Sequence, residues 1–331
     1  MSRKSERPYI SCVVPTFNEG PTIAAFLKSL NGQLAELSDR HEILVVDDGS
    51  SDTTVAEAVK VAAQYRVRVI QLSRNFGKEF ALCAGIDHAA GDVVVLIDAD
   101  FQHPIDLIPA FLARWREGYD MVYGAQQDRE YMTKGRRRST QLFYLMMSRV
   151  SHVNIDATAG DFRLMDRKVV EALKAMPERA RFMKGLYAWV GFRAIGVPYH
   201  VAARREGGSR FNVRRLSSLA LTGLISFSEL PLRVWGVIGF IIASLSLLYA
   251  VWIVIQTMFF GVEVPGFATL AVAIMFFGGI QLLSVGVLGE YVGRIFNEVK
   301  RRPLYLIERT YGFEEDRSGG KATAYGEKIA S

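Results

Sequence analysis

The sequence predicts an α/β fold with a mostly parallel sheet, followed by a membrane-associated C-terminal part. Two observations support this. In the first half of the chain, short apolar runs rich in β-branched residues alternate with helical patterns, as in parallel sheets that are covered on both faces. Beyond residue 233, two long stretches carry almost no charge. Half of the 331 residues are hydrophobic (50%) and only 22% are charged, which excludes a disordered chain.

The apolar runs predict five strands, at residues 10–15, 42–47, 67–72, 93–98 and 120–124. Helices are predicted between them, from Pro21 to Leu37, over 54–64, from the RNFGKE segment to Ala90, and from Pro104 onward. In such sheets, ligands bind beyond the carboxyl ends of the strands. These ends carry the segment Pro15–Glu19, which includes Asn18 and Glu19, and the aspartates Asp47, Asp48, Asp98 and Asp100, so acidic residues gather there. The sequence therefore predicts a ligand site at this edge of the sheet.

Charge and motif content narrow the class of ligand. The 40 Lys and Arg against 34 Asp and Glu give a net charge of +6, which suits nucleic acid, anionic lipid or a phosphorylated substrate. Cys12 and Cys83 lie in apolar runs, so a disulfide framework is excluded and both are expected to be small core residues. No GxGxxG follows the first strand and no GxxxxGK[ST] occurs, so the loops of dinucleotide-binding and P-loop proteins are missing.

Two uncharged stretches predict a transmembrane hairpin. Val234–Val262 and Val264–Gly289 each exceed the ~20 residues that a helix needs to cross a bilayer. Basic residues flank both ends, Arg233 before the first stretch and Arg294 and Lys300–Arg302 after the second. By the positive-inside rule, we expect a multi-pass membrane protein with both termini and residues 1–233 in the cytoplasm. A buried helical pair in a soluble core is the alternative.

Residues 212–230 predict a helix that lies on the membrane surface, with Arg214 and Arg215 near its start. Its apolar residues share one helical face: Leu216, Leu219, Ala220, Leu224 and Phe227. An ordinary amphipathic packing helix is the alternative. The expected regions are a cytoplasmic domain (1–211), an interfacial region (212–232), the transmembrane hairpin (233–290) and a cytoplasmic C-terminal tail (291–331).

The segment DADFQHP, residues 98–104, carries the predicted chemistry. Asp98 ends a buried strand and Asp100 follows two residues later, so two like charges lie close together and need a cation. A divalent ion that prefers oxygen ligands, Mg²⁺ or Mn²⁺, satisfies both carboxylates and can bind a diphosphate, and Gln102 adds a neutral oxygen. A bare Asp pair is also common as a helix cap. Its position after the fourth strand favours the metal site, and His103 is interpreted as a cap or packing residue.

Six segments, in order, resemble the polyprenyl-phosphate glycosyltransferases of the dolichol-phosphate mannose synthase type, in glycosyltransferase family 2: VVPTFNEG, VVDDGSSD, SRNFGKE, DADFQHP, GDFRLMDR and RREGGSRFN. The resemblance covers about residues 9–310 and includes the hairpin, as in bacterial members with two C-terminal transmembrane helices. It implies a Rossmann-like nucleotide-sugar-binding domain of the GT-A type. Phe101 replaces the leucine of the commoner DADLQ, and Arg210 stands where many relatives have lysine.

The resemblance implies transfer of a hexose from a nucleotide sugar to a membrane polyprenyl phosphate, undecaprenyl or dolichyl, with inversion at the anomeric carbon. UDP-glucose is the favoured donor; GDP-mannose, UDP-GlcNAc and UDP-galactose stay open. Donor contacts are expected from Pro15, Asn18, Glu19, Asp47, Asp48, Lys78 and Asp98. Metal and diphosphate contacts are expected from Asp98, Asp100 and Gln102. For Lys78, a helix-capping role is the alternative.

Asp161, in the GDFR segment, is the predicted catalytic carboxylate beside Asp98 and Asp100. It is expected to position the acceptor or to take the last proton of a monoanionic phosphate, and a structural bond to Arg163 is the alternative. The acceptor phosphate needs cations near the bilayer, and arginine suits this because it binds phosphate with two N–H groups. The expected acceptor-phosphate residues are Arg136, Arg204, Ser209 and Arg210.

Two rival functions remain beside this one. A processive polysaccharide synthase also combines a DxD domain with membrane helices, but its usual QxxRW motif is missing and one hairpin is too little for a polymer channel. A non-catalytic lipid- or nucleotide-binding anchor is disfavoured by the intact carboxylates. A homo-oligomer, a tetramer, is expected from the resemblance, with membrane lipid but no nucleic acid as a partner.

Overall fold

The computed structural model describes residues 7–127, 159–176, 178, 183–199 and 266–313, with scattered positions between 239 and 259. The strands in these ranges are β1 (Ile10–Thr16), β2 (His41–Asp47), β3 (Val67–Leu72), β4 (Val93–Leu96), β5 (Met121–Gln126), β6 (Ala159–Asp166), β7 (Ala194–Tyr199) and β8 (Ile307–Tyr311). The α-helices are α1 (Gly20–Leu37), α2 (Thr54–Ala62), α3 (Lys78–His88), α4 (Ile108–Arg116), α5 (Arg167–Lys174), α6 (Met183–Trp189) and α7 (Phe267–Val299).

All eight strands belong to one sheet in the order β7-β5-β6-β4-β1-β2-β3-β8. The four strands β4-β1-β2-β3 are parallel to one another. On one side, β6 is antiparallel to both β4 and β5, and β7 is parallel to β5. On the other side, β8 is antiparallel to β3. Because β1 lies between β2 and β4, the chain changes direction across the sheet there, which places a crevice at the carboxyl ends of β1 and β4.

Helices cover both faces of the sheet, as the continuous apolar strands predicted. Neighbouring residues of one strand point to opposite faces, so Cys12 and Val14 belong to one core cluster and Val13 to the other. Helix α3 packs close to β1 at Gly85, where an added Cβ would lie 2.1 Å from a methyl of Val13. This close packing fixes the start of α3 above the carboxyl ends of the strands. Cys12 and Cys83 are buried, which confirms their prediction as core residues.

The boundaries differ from the prediction around β4. The strand ends at Leu96, two residues before Asp98. Pro104 has an extended backbone (φ −69°, ψ 116°), so the predicted helix starts as a 3₁₀ turn over Ile105–Leu107 and becomes α-helical only at Ile108. The segment 97–104 is therefore a longer loop than expected, and it carries both aspartates of the DADFQHP segment.

The C-terminal part begins with α7 and ends with a strand. Within α7, Phe276–Val299 is long and apolar enough to cross a membrane by length and composition, and its described side chains are not buried within the chain. The helix continues ten residues beyond Gly289, where the second uncharged stretch ends. After it, β8 returns to the edge of the sheet, where the sequence suggested only a tail. The predicted interfacial helix over 212–230 lies outside the described residues.

Candidate active site

The loops after β1 and β2 are joined by hydrogen bonds. Asn18 has a left-handed backbone (φ 56°), its N–H donates to Ser50 Oγ (2.9 Å), and its side-chain Oδ1 accepts from the Ser51 N–H (3.0 Å). The Glu19 N–H donates to Thr54 Oγ1 (2.8 Å). Pro15 lies in register with Val46 on the neighbouring strand. The sequence-predicted donor residues of these two loops therefore form one surface at the carboxyl end of the sheet.

Asp47 ends β2 as a fully buried carboxylate. One oxygen, Oδ2, accepts from the Ser50 N–H (3.0 Å), while Oδ1 has no hydrogen-bond partner within the described part of the chain. Burial raises the pKa of Asp47, and the hydrogen bonds from Ser50 oppose that rise. An unpaired buried acceptor is costly unless something supplies a donor. The structure thus leaves a buried hydrogen-bond acceptor at the end of β2, where the sequence predicted a donor contact.

Asp48 faces the loop after β3. Its two carboxylate oxygens accept from the backbone N–H groups of Phe76 (2.7 Å) and Gly77 (2.9 Å). Only 3% of Asp48 is exposed, and burial raises its pKa while the two N–H bonds oppose the rise. The described contacts of Asp48 therefore hold the segment that leads into Lys78. Its predicted contact with the donor stays a prediction.

Lys78, at the start of α3, joins two predicted functional carboxylates. Its Nζ lies 2.8 Å from Asp98 Oδ2, beyond the end of β4, and 3.0 Å from Asp161 Oδ2 on β6. Burial opposes the charge of Lys78, but the two carboxylates outweigh it and hold the lysine pKa above its ordinary value. Burial likewise opposes ionisation of Asp161, yet Lys78 and Lys184 hold the pKa of that carboxyl below its usual range. Three elements distant in sequence thus meet at one ammonium group.

His103 is the second partner of Asp98. Its Nε2 lies 3.4 Å from Asp98 Oδ2, its Nδ1 is 3.0 Å from the Tyr199 hydroxyl, and its ring stacks on Phe162 with centroids 5.0 Å apart. Although burial opposes the charge of Asp98, the His103 and Lys78 contacts hold the pKa of this carboxyl well below its usual range. His103 therefore packs, as expected, but it also orients the first aspartate of the DxD pair, a role that the sequence did not indicate.

Asp100 and Gln102 lie on a strained turn. The Gln102 N–H donates to Asp100 Oδ1 (3.0 Å), and Phe101 between them has φ 56°, a left-handed backbone that is uncommon for residues other than glycine. The Phe101 ring packs edge-on against Phe26 of α1, with centroids 5.2 Å apart. This packing is consistent with the expectation that the Leu-to-Phe change in the motif concerns packing. The turn thus orients the Asp100 carboxylate toward the Gln102 backbone N–H, in the loop that also carries Asp98.

The side-chain oxygens of this turn are of the kind that bind divalent cations, because Mg²⁺ and Mn²⁺ prefer carboxylate and amide oxygens as ligands. Asp98 and Asp100 supply the carboxylates and Gln102 the amide. In the described ranges, no three His, Cys, Asp or Glu side chains cluster closely enough to hold a metal by themselves. A cation there would need further oxygens, such as those of a diphosphate.

Asp161 and Arg163 do not pair, although they are two residues apart on β6. Asp161 pairs with Lys78, and its other oxygen, Oδ1, is buried without a partner among the described residues. Arg163 donates to the Gly160 carbonyl and lies over the Tyr187 ring, 3.5 Å from its centroid. Asp161 therefore shares the Lys78 ammonium group with Asp98, and its predicted catalytic role stays a prediction.

Glu79 is a site residue that the sequence reasoning missed. It follows Lys78 and accepts a hydrogen bond from the Met183 N–H at the start of α6 (3.3 Å). Burial, and next the charge of Asp161, raise the pKa of Glu79 to about 7. The SRNFGKE segment contained this residue, but nothing in its spacing showed that α6 would lie against it. Among the predicted site residues, Arg136, Arg204, Ser209 and Arg210 lie outside the described residues.

The mixed sheet with an antiparallel β6, and the carboxylates at the ends of β2 and β4, define a glycosyltransferase domain of the GT-A type. The chain belongs to glycosyltransferase family 2, whose model matches residues 11–174, and a model of the GtrB C-terminal hairpin matches residues 230–295. The family and the hairpin expected from the sequence are both confirmed. With the apolar helix α7, the hairpin indicates association with a membrane.

Curated relatives cover nearly the whole chain. An uncharacterized glycosyltransferase of Synechocystis sp. is 46% identical over 306 residues, which is 92% of this chain and 96% of the relative. A prophage-derived bactoprenol glucosyl transferase of Shigella flexneri is also 46% identical, over 91% of this chain and 98% of the relative. Among solved structures, glucosyl-3-phosphoglycerate synthase from Mycobacterium tuberculosis, crystallised with Mn²⁺, UDP and phosphoglyceric acid, matches with a TM-score of 0.48 and 22% identity, over 64% of this chain and 75% of that one.

Proposed function

We propose that this chain transfers glucose from UDP-glucose to a membrane polyprenyl phosphate, with inversion at the anomeric carbon and release of UDP on the cytoplasmic face. The observation that carries the proposal is the cluster of Lys78, Asp98 and Asp161 at the carboxyl ends of the strands, in a family 2 domain that continues into the GtrB hairpin. The bactoprenol glucosyl transferase of Shigella flexneri, alike over nearly its whole length, supports a polyprenyl acceptor and glucose as the sugar.

The donor lies in the crevice between β1 and β4. Asp47 Oδ1, the unpaired buried acceptor, receives a hydrogen bond from the nucleoside, and the neighbouring loops with Pro15, Asn18 and Glu19 enclose it. Asp98, Asp100 and Gln102 would hold the divalent cation, Mg²⁺ or Mn²⁺, which would supply positive charge where the departing diphosphate becomes more negative.

Asp161 acts on the acceptor. Its pKa is held low by Lys78 and Lys184 against the effect of burial, so it is ionised near neutral pH. An acceptor phosphate is already largely anionic at that pH and needs little help to become a nucleophile. Asp161 therefore orients a monoanionic phosphate by accepting a hydrogen bond from its remaining O–H, or takes that last proton, and its unpaired Oδ1 is the atom available for this contact. Arg136, Arg204, Ser209 and Arg210 hold the acceptor phosphate near the bilayer.

The strand β8 supports the proposed membrane arrangement. It follows the hairpin in sequence, yet it pairs with β3 of the domain that precedes the hairpin. A chain that leaves the sheet, crosses the membrane and returns to the same sheet must cross an even number of times. This agrees with two spanning helices, with both of their outer ends in the cytoplasm, in the inner membrane. A homo-oligomer, with tetramer as the expected state, is part of the same proposal.

The test uses the full chain, purified in detergent, with undecaprenyl phosphate and a panel of labelled nucleotide sugars: UDP-glucose, UDP-galactose, UDP-GlcNAc and GDP-mannose. We expect one glucose per lipid from UDP-glucose, with the product lost in excess chelator and in the folded variant Asp100→Asn. A lipid product from another donor alone would correct the sugar. A polymeric product would favour a polysaccharide synthase, and no lipid product with any donor would overturn the proposal.

A further inference from the structure

We propose that Lys78 is an exchangeable counterion of the active site, which competes with the divalent cation for Asp98 and is then available to the donor's diphosphate. This inference rests on the proposed function, because it takes Asp98 to be a metal ligand. It adds a role that goes beyond a simple donor contact. One lysine would link metal binding, donor binding and the position of the catalytic carboxylate.

The first support is the identity of the carboxylate oxygens that Lys78 contacts. Its Nζ lies 2.8 Å from Asp98 Oδ2, on the first carboxylate of the DxD pair, and 3.0 Å from Asp161 Oδ2. Asp98 Oδ2 is also 3.4 Å from His103 Nε2. A cation that takes Asp98 as a ligand therefore meets a carboxylate that is already paired with a positive charge. Lys78 and the cation compete for the same group.

The second support is that Lys78 is placed to exchange partners. Its side chain is 43% exposed, against 25% for Asp98 and 20% for Asp161, so part of the lysine stem faces solvent and has room to move. An ammonium carries three N–H donors on a flexible four-carbon stem, and its two carboxylate contacts use two of them. It can keep Asp161 while it releases Asp98.

The third support is the balance of charge. Asp98, Asp100 and Asp161 bring three carboxylates within one loop and an adjacent strand, and Lys78 offsets one of them. A divalent cation brings two positive charges to the same carboxylates, which lowers the need for the lysine at Asp98. The donor's diphosphate then supplies new negative charge, and lysine binds phosphate as a point charge. Before the cation binds, the carboxylates are the groups that most need the positive charge of Lys78. After the cation and the donor have bound, the diphosphate is the group that most needs it.

The test measures two affinities of the detergent-purified full chain, neither of which depends on turnover. Mn²⁺ binding without nucleotide is followed by the loss of the free Mn²⁺ spin-resonance signal, and UDP binding at saturating Mn²⁺ by calorimetry. In Lys78→Met, we expect Mn²⁺ to bind about two- to fivefold more tightly, because the variant lacks the partly exposed ion pair that competes with Mn²⁺ for Asp98. We expect UDP to bind about tenfold or more weakly, as for loss of one charge-assisted contact.

In Lys78→Met, Mn²⁺ affinity should rise while UDP affinity falls, and these opposite changes separate the proposed role from simpler ones. A lysine that only contacts the donor would leave Mn²⁺ affinity unchanged, and one that only supports the fold would weaken both ligands; either result would overturn the proposal. Lys78→Arg keeps the charge and should bind Mn²⁺ as the wild type does. Lys78→Gln, which keeps an N–H donor without the charge, repeats the test if the methionine variant does not fold.

Two further variants separate this proposal from the metal site itself. Lys168→Met removes a comparable ion pair, 2.8 Å to Asp120 on another part of the domain, and should change neither affinity. Asp100→Asn should greatly weaken Mn²⁺ binding. If Asp100→Asn binds Mn²⁺ like the wild type, the proposed metal site is wrong. If Asp100→Asn loses Mn²⁺ while Lys78→Met gains nothing, the metal site stands and the counterion role is overturned.

Discussion

Asp48 offers a direct test of how the loop before Lys78 is held. Its two oxygens accept from Phe76 N–H and Gly77 N–H at 2.7 and 2.9 Å, and the side chain is 3% exposed. Asp48→Asn keeps one acceptor but replaces the other oxygen with an NH₂ group that faces an N–H donor. One charge-assisted bond is lost and two donors are left facing each other out of reach of water.

The expected cost is at least about 2.5 kcal/mol, since a hydrogen bond to a charged group contributes about 1.5–3 kcal/mol and an unpaired buried donor adds about 1–3 kcal/mol. For a domain of this size, such a cost lowers the unfolding midpoint by at least about 5 °C. Because Lys78 directly follows Gly77, UDP affinity should fall as well, by about tenfold.

The assay is thermal unfolding of the full chain in detergent, followed by tryptophan fluorescence, together with UDP calorimetry at saturating Mn²⁺. Asp39→Asn is the matched control, because Asp39 also has an ion-pair contact (2.8 Å to Arg7) but is 75% exposed. An exposed pair contributes about 0–1 kcal/mol. A midpoint for Asp48→Asn no lower than that of Asp39→Asn would refute the reasoning about this loop.

Four variants test the acceptor site, the half-buried Glu79 and the loop after β2. Arg204→Ala and Arg210→Ala should each raise the concentration of polyprenyl phosphate that gives half-maximal rate by about ten- to a hundredfold, because each removes a charge-assisted phosphate contact. UDP affinity should stay unchanged. An equal loss of UDP affinity would show that these arginines do not belong to the acceptor site. The pKa of Glu79 is raised from 4.5 to about 7, so its ionisation in the folded protein costs stability as pH rises through that window. The wild-type unfolding midpoint should therefore fall relative to Glu79→Gln between pH 5 and pH 8, and parallel pH profiles would contradict this. Gly49 has φ 71° and its added Cβ would lie 2.5 Å from backbone of the loop after β3, so Gly49→Ala should destabilise the domain by about 2–4 kcal/mol, measured by the same midpoint. Gly32→Ala, where an added Cβ meets nothing within 4 Å, is its control and should not destabilise, and equal midpoints for the two variants would speak against this reasoning.

The parallel half of the fold could be predicted because each strand there is a continuous apolar run that ends at a polar group. β1, β2 and β3 lie close to their predicted positions for this reason. β6 was not predicted, since its GDFR start mixes charge with apolar residues, and its antiparallel place between β4 and β5 depends on tertiary pairing. β8 is exposed along most of its length, so it carries little hydrophobic signal of its own.

In the candidate active site, too, some features could be predicted from the sequence and others could not. The carboxylates could be located because strand ends meet at one edge of a parallel sheet. Their partners could not, because a contact such as Lys78 with Asp161 joins residues that are far apart in sequence. Arg163, two residues from Asp161, was the natural local candidate, yet its guanidinium lies over the Tyr187 ring. His103 was interpreted from its neighbour Pro104, and its contact with Tyr199 depends on where β7 lies.

The late position of β8 in the sequence bears on how the protein is made. Until β8 is synthesised, β3 is an edge strand whose backbone N–H and C=O groups on one side have no partner, and such edges pair readily with other chains. The strand that covers this edge emerges from the ribosome only after the whole hairpin. The catalytic domain thus completes its sheet after the membrane segment has been synthesised. A chain cut before the hairpin would keep β3 open, and we expect it to aggregate even though most of its core residues are present.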